Sequence, residues 1–167
     1  ATQLIHRARQ ELVEEGLDIF LPQIGTMIEV PAAVYQVREL ARRADFLSIG
    51  TNDLTQYLLA VDRNNARVAG LYSHFHPAVL QALVHIVNEA HAEGKTVSVC
   101  GEMAGDPCAA VLLMAMGYDA LSMNANNLPK VKSVIRSLQL TDAKKLLSDV
   151  LSMHDARAIS KHANHTL

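Results

Sequence analysis

Apolar residues recur along the chain in two patterns, one typical of amphipathic helices and the other typical of buried strands. Residues 1–16 carry a helical apolar face, formed by Leu4, Ile5, Ala8, Leu12 and Val13. They are therefore predicted to form an amphipathic helix that ends at a glycine. Four short apolar runs then predict strands at residues 24–30, 46–50, 96–100 and 120–123.

Most of the sequence between and after these strands has apolar residues at helical spacing. It predicts helices at residues 31–41, 54–60, 77–94, 106–116, 129–138 and 141–153. Pro31 and Pro77 suit the first turn of their helices, because the N–H group that proline lacks would have no partner within the helix at that position. Residues 61–76 are polar and predict a long connection, and the last dozen residues are expected to fray.

The order of elements is one helix followed by four consecutive βα units. Apolar strands that alternate with helices predict an α/β fold with a parallel sheet. Four units can form a small open sheet or the second half of a (β/α)8 TIM-type barrel. In both cases ligands bind at the carboxyl ends of the strands, where Glu29, Asn52, Asp53, Cys100 and Asn124 fall.

Composition narrows the possible functions. The chain has 167 residues, half of them hydrophobic, and a net charge of −2, which argues against nucleic acid as a partner. The most apolar stretch, residues 109–116, is too short to span a membrane, and no signal peptide is visible. The two cysteines have no CxxC spacing, which suits the reducing cytoplasm.

Two carboxylates at neighbouring strand ends are candidate metal ligands. Glu29 ends the first predicted strand, and Asp53 follows the second in the turn Gly-Thr-Asn-Asp. Together they can hold Mg²⁺, which favours one or two carboxylates plus water and substrate oxygens. Alternatively, Glu29 caps a helix or pairs with an arginine, and Asp53 is an ordinary helix N-cap.

Three further residues on this rim are candidates for substrate chemistry. Asn52 offers an amide, and Arg63 offers the bidentate geometry that suits phosphate, unless it is simply a solvated loop residue. The thiol of Cys100 can donate a proton, or it can be a small buried hydrophobic group. His74 and His76 form a His-x-His pair without an apparent third metal ligand, and we expect them to pack in their loop.

Four ordered motifs carry a resemblance to a known family. They are residues 25–33 (GTMIEVPAA), 48–57 (SIGTNDLTQY), 60–64 (AVDRN) and 99–106 (VCGEMAGD). The chain resembles the C-terminal phosphoenolpyruvate (PEP)-binding domain of enzyme I of the bacterial phosphotransferase system. Residues 72–77 and the motif after Cys100 most resemble its nitrogen-related paralogue rather than the sugar-transport enzyme.

The resemblance implies a Mg²⁺-dependent transfer of phosphoryl from PEP to a protein histidine, with release of pyruvate. Glu29 and Asp53 match the family's Mg²⁺ ligands, Asn52, Asp53 and Arg63 match its PEP-binding residues, and Cys100 matches its proton donor. It also implies a phosphocarrier protein as partner, a homodimer and a cytoplasmic location. The alternatives are a PEP synthase or pyruvate phosphate dikinase and a PEP-sensing regulatory module without turnover.

The resemblance covers only part of such an enzyme. Residues 1–167 lack the glycine-rich histidine motif that carries the phosphoryl group and the first half of the barrel. We therefore expect residues 1–167 to be a partial PEP-binding barrel domain that cannot complete phosphoryl transfer alone.

Overall fold

The computed structural model describes residues 1–166. Four strands form the sheet: β1 Gly25–Ile28, β2 Phe46–Gly50, β3 Val97–Cys100 and β4 Ala120–Leu121. The helices are α1 Thr2–Glu14, α2 Pro31–Val34, α3 Val37–Ala41, α4 Thr51–Leu59, α5 Pro77–Ala92, α6 Glu102–Gly105, α7 Pro107–Met116, α8 Leu128–Ser137, α9 Leu140–Leu151 and α10 Ala156–Thr166. A single 3₁₀ turn spans Ala69–Leu71. Among these residues no helix is long and apolar enough to cross a membrane.

The strands pair in parallel, in the order β1-β2-β3-β4. Each strand is followed by helix before the next begins, so the predicted α/β fold of consecutive parallel βα units is confirmed. The sheet order is that of successive strands in one half of a (β/α)8 barrel. All four strand carboxyl ends meet at one edge, which is the edge that carries the candidate site.

The two faces of the sheet differ in their surroundings. One face presents Ile28, Leu47, Ile49, Val97 and Val99, which are fully buried under the helical layer. We call the other face the open face. It is formed by residues that lie opposite one another on neighbouring strands, namely Gly25, Met27, Phe46, Ser48, Ser98 and Ala120. Its side chains are partly or fully exposed, as expected for a face that lines the interior of a barrel when further strands complete it.

Local sequence explains where α5 and α7 begin. Pro77 and Pro107 occupy first-turn positions, and the side chains of His76 and Asp106 before them accept hydrogen bonds from Ala78 N and Ala109 N. The helix predicted at residues 31–41 is split into α2 and α3. The helix predicted to begin at residue 54 begins at Thr51, directly after β2.

Residues 156–166 contradict the prediction that the last dozen residues fray. They form α10, whose Ile159 and Ala163 are fully buried. Asn164 also accepts a hydrogen bond from the Cys108 thiol of α7 at 3.3 Å. The prediction was wrong because it weighed the polar residues of this segment and overlooked an apolar pair at i, i+4 spacing. By contrast, α1 forms as predicted but buries none of its residues.

Candidate functional site

The start of α4 is joined to the end of β3 by two side chains. Thr51 Oγ1 donates a hydrogen bond to the carbonyl of Cys100 at 2.7 Å, and Asn52 Oδ1 accepts one from Glu102 N at 3.1 Å. These bonds fix Asn52 beside Cys100, although 48 residues separate them in sequence. Because Asn52 Oδ1 already accepts a hydrogen bond, the Nδ2 group of Asn52 is the part of the side chain that can donate to a ligand.

Gly101 permits this close approach. Its φ of +109° lies in a region that side chains rarely adopt, and a Cβ there would lie 2.5 Å from Thr51 Oγ1. The chain can therefore turn sharply after Cys100 while the β3 end contacts the first turn of α4.

Glu29 follows β1 and lies against the backbone of the neighbouring strand. A Cβ at Gly50 would lie 2.9 Å from Glu29 Oε2, so the carboxylate occupies space that any larger residue at position 50 would fill. Gly50 is the N-cap residue of α4, and Asp53 lies in the first turn of that helix. The structure thus places both predicted carboxylates at the β2 carboxyl end.

Arg63 is held near Asp53 by the loop after α4. Ala60 ends α4 in the left-handed conformation, with φ of 52°, and Arg63 N donates to Gln56 Oε1 at 3.2 Å. The guanidinium Nη2 lies 3.6 Å from Asp53 Oδ1. Both side chains are more than one third exposed, so the pair is accessible to a ligand and contributes little to folding.

Tyr72 connects the same loop to α4. Its hydroxyl donates to the carbonyl of Asn52 at 3.3 Å. Burial raises the pKa of Tyr72, and this effect outweighs the opposing influence of Thr55 and Arg63. The phenol therefore stays protonated at neutral pH and supports the loop next to Asn52.

Cys100 lies at the carboxyl end of β3, on the open face. Its Sγ donates to the carbonyl of Ile49 at 3.4 Å and lies 3.9 Å from Ser48 Oγ. The thiol is partly exposed, whereas Cys108 is buried.

Cys100 and Asn52 also line a cavity of about 680 Å³ that extends toward the end of β4. Its lining is mostly polar and consists of Asn52, His74, Cys100, Gly101, Glu102, Gly105, Asp106, Pro107, Ser122, Met123, Asn124 and Asn127. Glu29, Asp53 and Arg63 lie outside this lining. The site therefore has two parts, an Arg63–Asp53 side beside Glu29 and a Cys100 side that opens into the cavity.

The sequence prediction that His74 merely packs in its loop missed its place in this cavity. The His74 ring packs against Phe75 in a tilted arrangement, with ring centroids 4.5 Å apart and an interplanar angle of 48°. Its buried Nε2 has no hydrogen-bond partner within residues 1–166. The His-x-His pattern was the available signal, but its two members differ. His76 caps α5, whereas His74 faces the cavity.

Within the part of the chain that the structure describes, no cluster of three or more His, Cys, Asp or Glu residues could hold a metal ion. Glu29 and Asp53 can supply only two protein ligands. That number fits Mg²⁺, which keeps several waters and binds substrate oxygens. A site built wholly from protein side chains is not formed by these residues.

The family match and the similar proteins of known name agree with one another. Residues 1–140 match the family described as PEP-utilising enzyme, PEP-binding domain. A protein from Escherichia coli (strain K12) named "Phosphoenolpyruvate-dependent phosphotransferase system" is 48% identical over 147 residues, 87% of this chain and 20% of that protein. A phosphoenolpyruvate-protein phosphotransferase from Haemophilus influenzae is 44% identical over 160 residues, 95% of this chain and 28% of the relative.

A solved structure supports the fold alone. A citrate lyase from Burkholderia xenovorans LB400 superposes with a TM-score of 0.55 at 16% identity, covering 98% of this chain and 57% of that one. The chain spans between a fifth and a third of the length of the two phosphotransferase relatives described above. The family match over residues 1–140 shows that the chain belongs to the PEP-binding domains of PEP-utilising enzymes.

Proposed function

We propose that this chain provides the PEP-binding site of a phosphoenolpyruvate–protein phosphotransferase, which transfers phosphoryl from PEP to a protein histidine and releases pyruvate. The observation that carries the proposal is the meeting of Asp53, Arg63, Asn52 and Cys100 at one sheet edge. This edge of the sheet therefore combines groups that can bind an anion with a group that can donate a proton. The names of the relatives at 44–48% identity support the reaction class.

Glu29 and Asp53 are the residues that would hold Mg²⁺. When bound, the ion would neutralise charge on the carboxylate and phosphate oxygens of PEP. The carboxylate of Glu29 over Gly50, next to the helix that carries Asp53, is the observation that favours this assignment.

Arg63 and Asn52 are assigned to the substrate's oxygens. The Arg63 guanidinium can form paired hydrogen bonds with phosphoryl oxygens and stabilise the charge that they carry during transfer. The Asn52 amide can donate from Nδ2. Glu102 and Asp106 on the cavity side disfavour an anion there, so the phosphate is expected on the Arg63 side, with the methylene carbon toward Cys100.

Cys100 is assigned as the proton donor. Loss of the phosphoryl group leaves an enolate, and a proton from Sγ to the methylene carbon completes pyruvate. Thiols are ordinarily protonated at neutral pH, as this step requires.

The partners of the reaction are proposed on the same basis. The histidine that accepts phosphoryl is assigned to another segment of the enzyme, and a phosphocarrier protein to the following step. Two free thiols fit action in the reducing cytoplasm. We also propose a homodimer, in which a second copy covers the open face in place of the strands that would complete a barrel. Assignment to the nitrogen-related branch stays a prediction.

A PEP synthase or pyruvate phosphate dikinase is the alternative enzyme, and a PEP sensor without turnover is the alternative binding module. The motif Gly101–Asp106 favours the phosphotransferase over the dikinase, because the dikinases usually carry a histidine after Gly-Glu, where this chain has Met103.

Calorimetric titration of the chain with PEP in the presence and absence of Mg²⁺ tests the site. Asp53→Ala removes one assigned metal ligand and the partner of Arg63, so affinity should fall by about tenfold or more. The control is Asp142→Ala, which removes an exposed carboxylate on α9. Equal, Mg²⁺-independent binding by wild type and Asp53→Ala would contradict the proposed site.

A further inference from the structure

His74 lines the cavity beside Cys100 and carries a buried nitrogen without a partner among the described residues. Its Nε2 is buried and has no hydrogen-bond partner within residues 1–166, while its ring packs on Phe75. Buried polar atoms without partners are uncommon in folded proteins and call for an explanation. The side chain also lines the cavity, so this nitrogen lies close to a space that can hold water or a ligand.

Cys100 needs a source of protons that its bonded neighbours cannot provide. After it protonates the enolate it is a thiolate, and it must regain a proton before the next turnover. Its neighbours on the sheet are the Ile49 carbonyl at 3.4 Å and the Ser48 hydroxyl at 3.9 Å. A carbonyl has no proton to give, and a hydroxyl is too weak an acid, so the proton comes from the partly exposed side of the thiol, where Cys100 lines the cavity.

Three titratable side chains besides Cys100 line that cavity: His74, Glu102 and Asp106. Carboxylic acids are ordinarily ionised at neutral pH, whereas imidazole titrates close to it. Asp106 is further committed to capping α7, where its Oδ1 accepts from Ala109 N at 2.9 Å. His74 is therefore the group suited to carry a proton.

The charges that face His74 set its acidity. Burial lowers the pKa of its imidazole, and the nearby carboxylates of Asp106 and Glu102 oppose this shift. Burial therefore favours the neutral ring and makes the protonated ring a readier acid.

We propose that His74 is a positioning and relay residue that returns a proton from solvent to Cys100, an inference that rests on the proposed function. Cys100 Sγ–H transfers its proton to the methylene carbon of the enolate. The S–H pair stays on sulfur, and the enolate π pair forms the new C–H bond. Protonated His74 then gives a proton to the thiolate, directly or through cavity water, and regains one from solvent. One solvent proton ends in the pyruvate methyl group, without oxidation or reduction.

The first test follows the same step in reverse. Pyruvate is incubated with the chain and Mg²⁺ in D₂O, and loss of the methyl proton signal is followed by NMR. His74→Leu should slow exchange by about tenfold or more, and added imidazole should restore part of the rate. Cys100→Ala should abolish exchange. His85→Leu, at an exposed position of α5, should leave the rate unchanged.

The second test needs neither substrate nor metal. The rate at which iodoacetamide alkylates Cys100 is measured against pH by peptide mass spectrometry, which separates it from Cys108. In wild type, protonation of His74 favours the nearby thiolate, so the profile should show an additional inflection on the acid side of the ordinary imidazole pKa, in the direction that burial shifts the pKa of His74. That inflection should disappear in His74→Leu and persist in His85→Leu.

The outcomes separate the relay from the proposed function. Exchange that requires Cys100 but proceeds equally in His74→Leu would overturn the relay alone. Slower exchange that imidazole does not restore, with an unchanged alkylation profile, would assign His74 a purely structural role and also overturn the relay. Absence of exchange in wild type would overturn the assignment of Cys100 as donor and the relay with it.

Discussion

Gly101 sets the geometry of the candidate site at the scale of a single residue. Its backbone lies at φ of +109°, and the space for a Cβ is occupied by Thr51 Oγ1, which itself binds the Cys100 carbonyl. A side chain at position 101 would therefore strain the backbone and break the link between β3 and α4.

Gly101→Ala is expected to lower the free energy of unfolding by about 1–3 kcal/mol. Urea denaturation followed by circular dichroism measures the change. Gly70→Ala is the matched control, since a Cβ there meets nothing within 4 Å, and it should shift stability by no more than about 0.5 kcal/mol. Equal denaturation midpoints for the two variants would contradict this account.

The positions of Glu29, Asn52, Asp53 and Cys100 could be predicted because each ends or follows an apolar run, and parallel strands bring such ends to one edge. Their roles as ligands stay predictions. His74 could not be placed in the same way. It lies in a long polar loop, and only the packing of Phe75 and the course of the chain into α5 determine which side its ring faces.

At the scale of elements, the sequence predicted the helices and strands better than it predicted their ends. The strand at residues 46–50 was predicted with the bounds that β2 has, since its apolar run stops at Gly50. The start of α4 was placed three residues late, because Thr51, Asn52 and Asp53 are typical caps. In the structure these polar side chains lie within the helix, and two of them bind the β3 end.

Ile159→Ala tests whether α10 is a packed element rather than a fraying tail. The Ile159 side chain is fully buried in the core shared with α7 and α9, so its truncation should cost about 2–5 kcal/mol. Chemical denaturation gives the value, and Lys161→Ala on the exposed side of the same helix should cost less than about 0.5 kcal/mol. A comparable, small loss in both variants would favour a tail that contributes nothing to the fold.

At the scale of the whole molecule, the chain buries one face of its sheet and leaves the other open. Met27 is 48% exposed on that open face, and the Phe46 ring lies over Gly25 beside it. Ser48 and Ser98 occupy the next positions in the Met27 register, which makes the face only partly apolar. The apolar end of this face is a surface that another protein surface can bury.

Met27→Glu tests the proposed homodimer at this face. Sedimentation velocity over a range of concentrations should show wild type passing from monomer to dimer. The variant should stay monomeric at concentrations about tenfold higher, because burying an unpaired carboxylate between apolar groups is unfavourable. Tyr35→Glu, at a residue 86% exposed beside α2 in the helical layer, controls for the added charge. If both variants associate as wild type does, the open face is not where two copies meet, and only the remaining surfaces can join them.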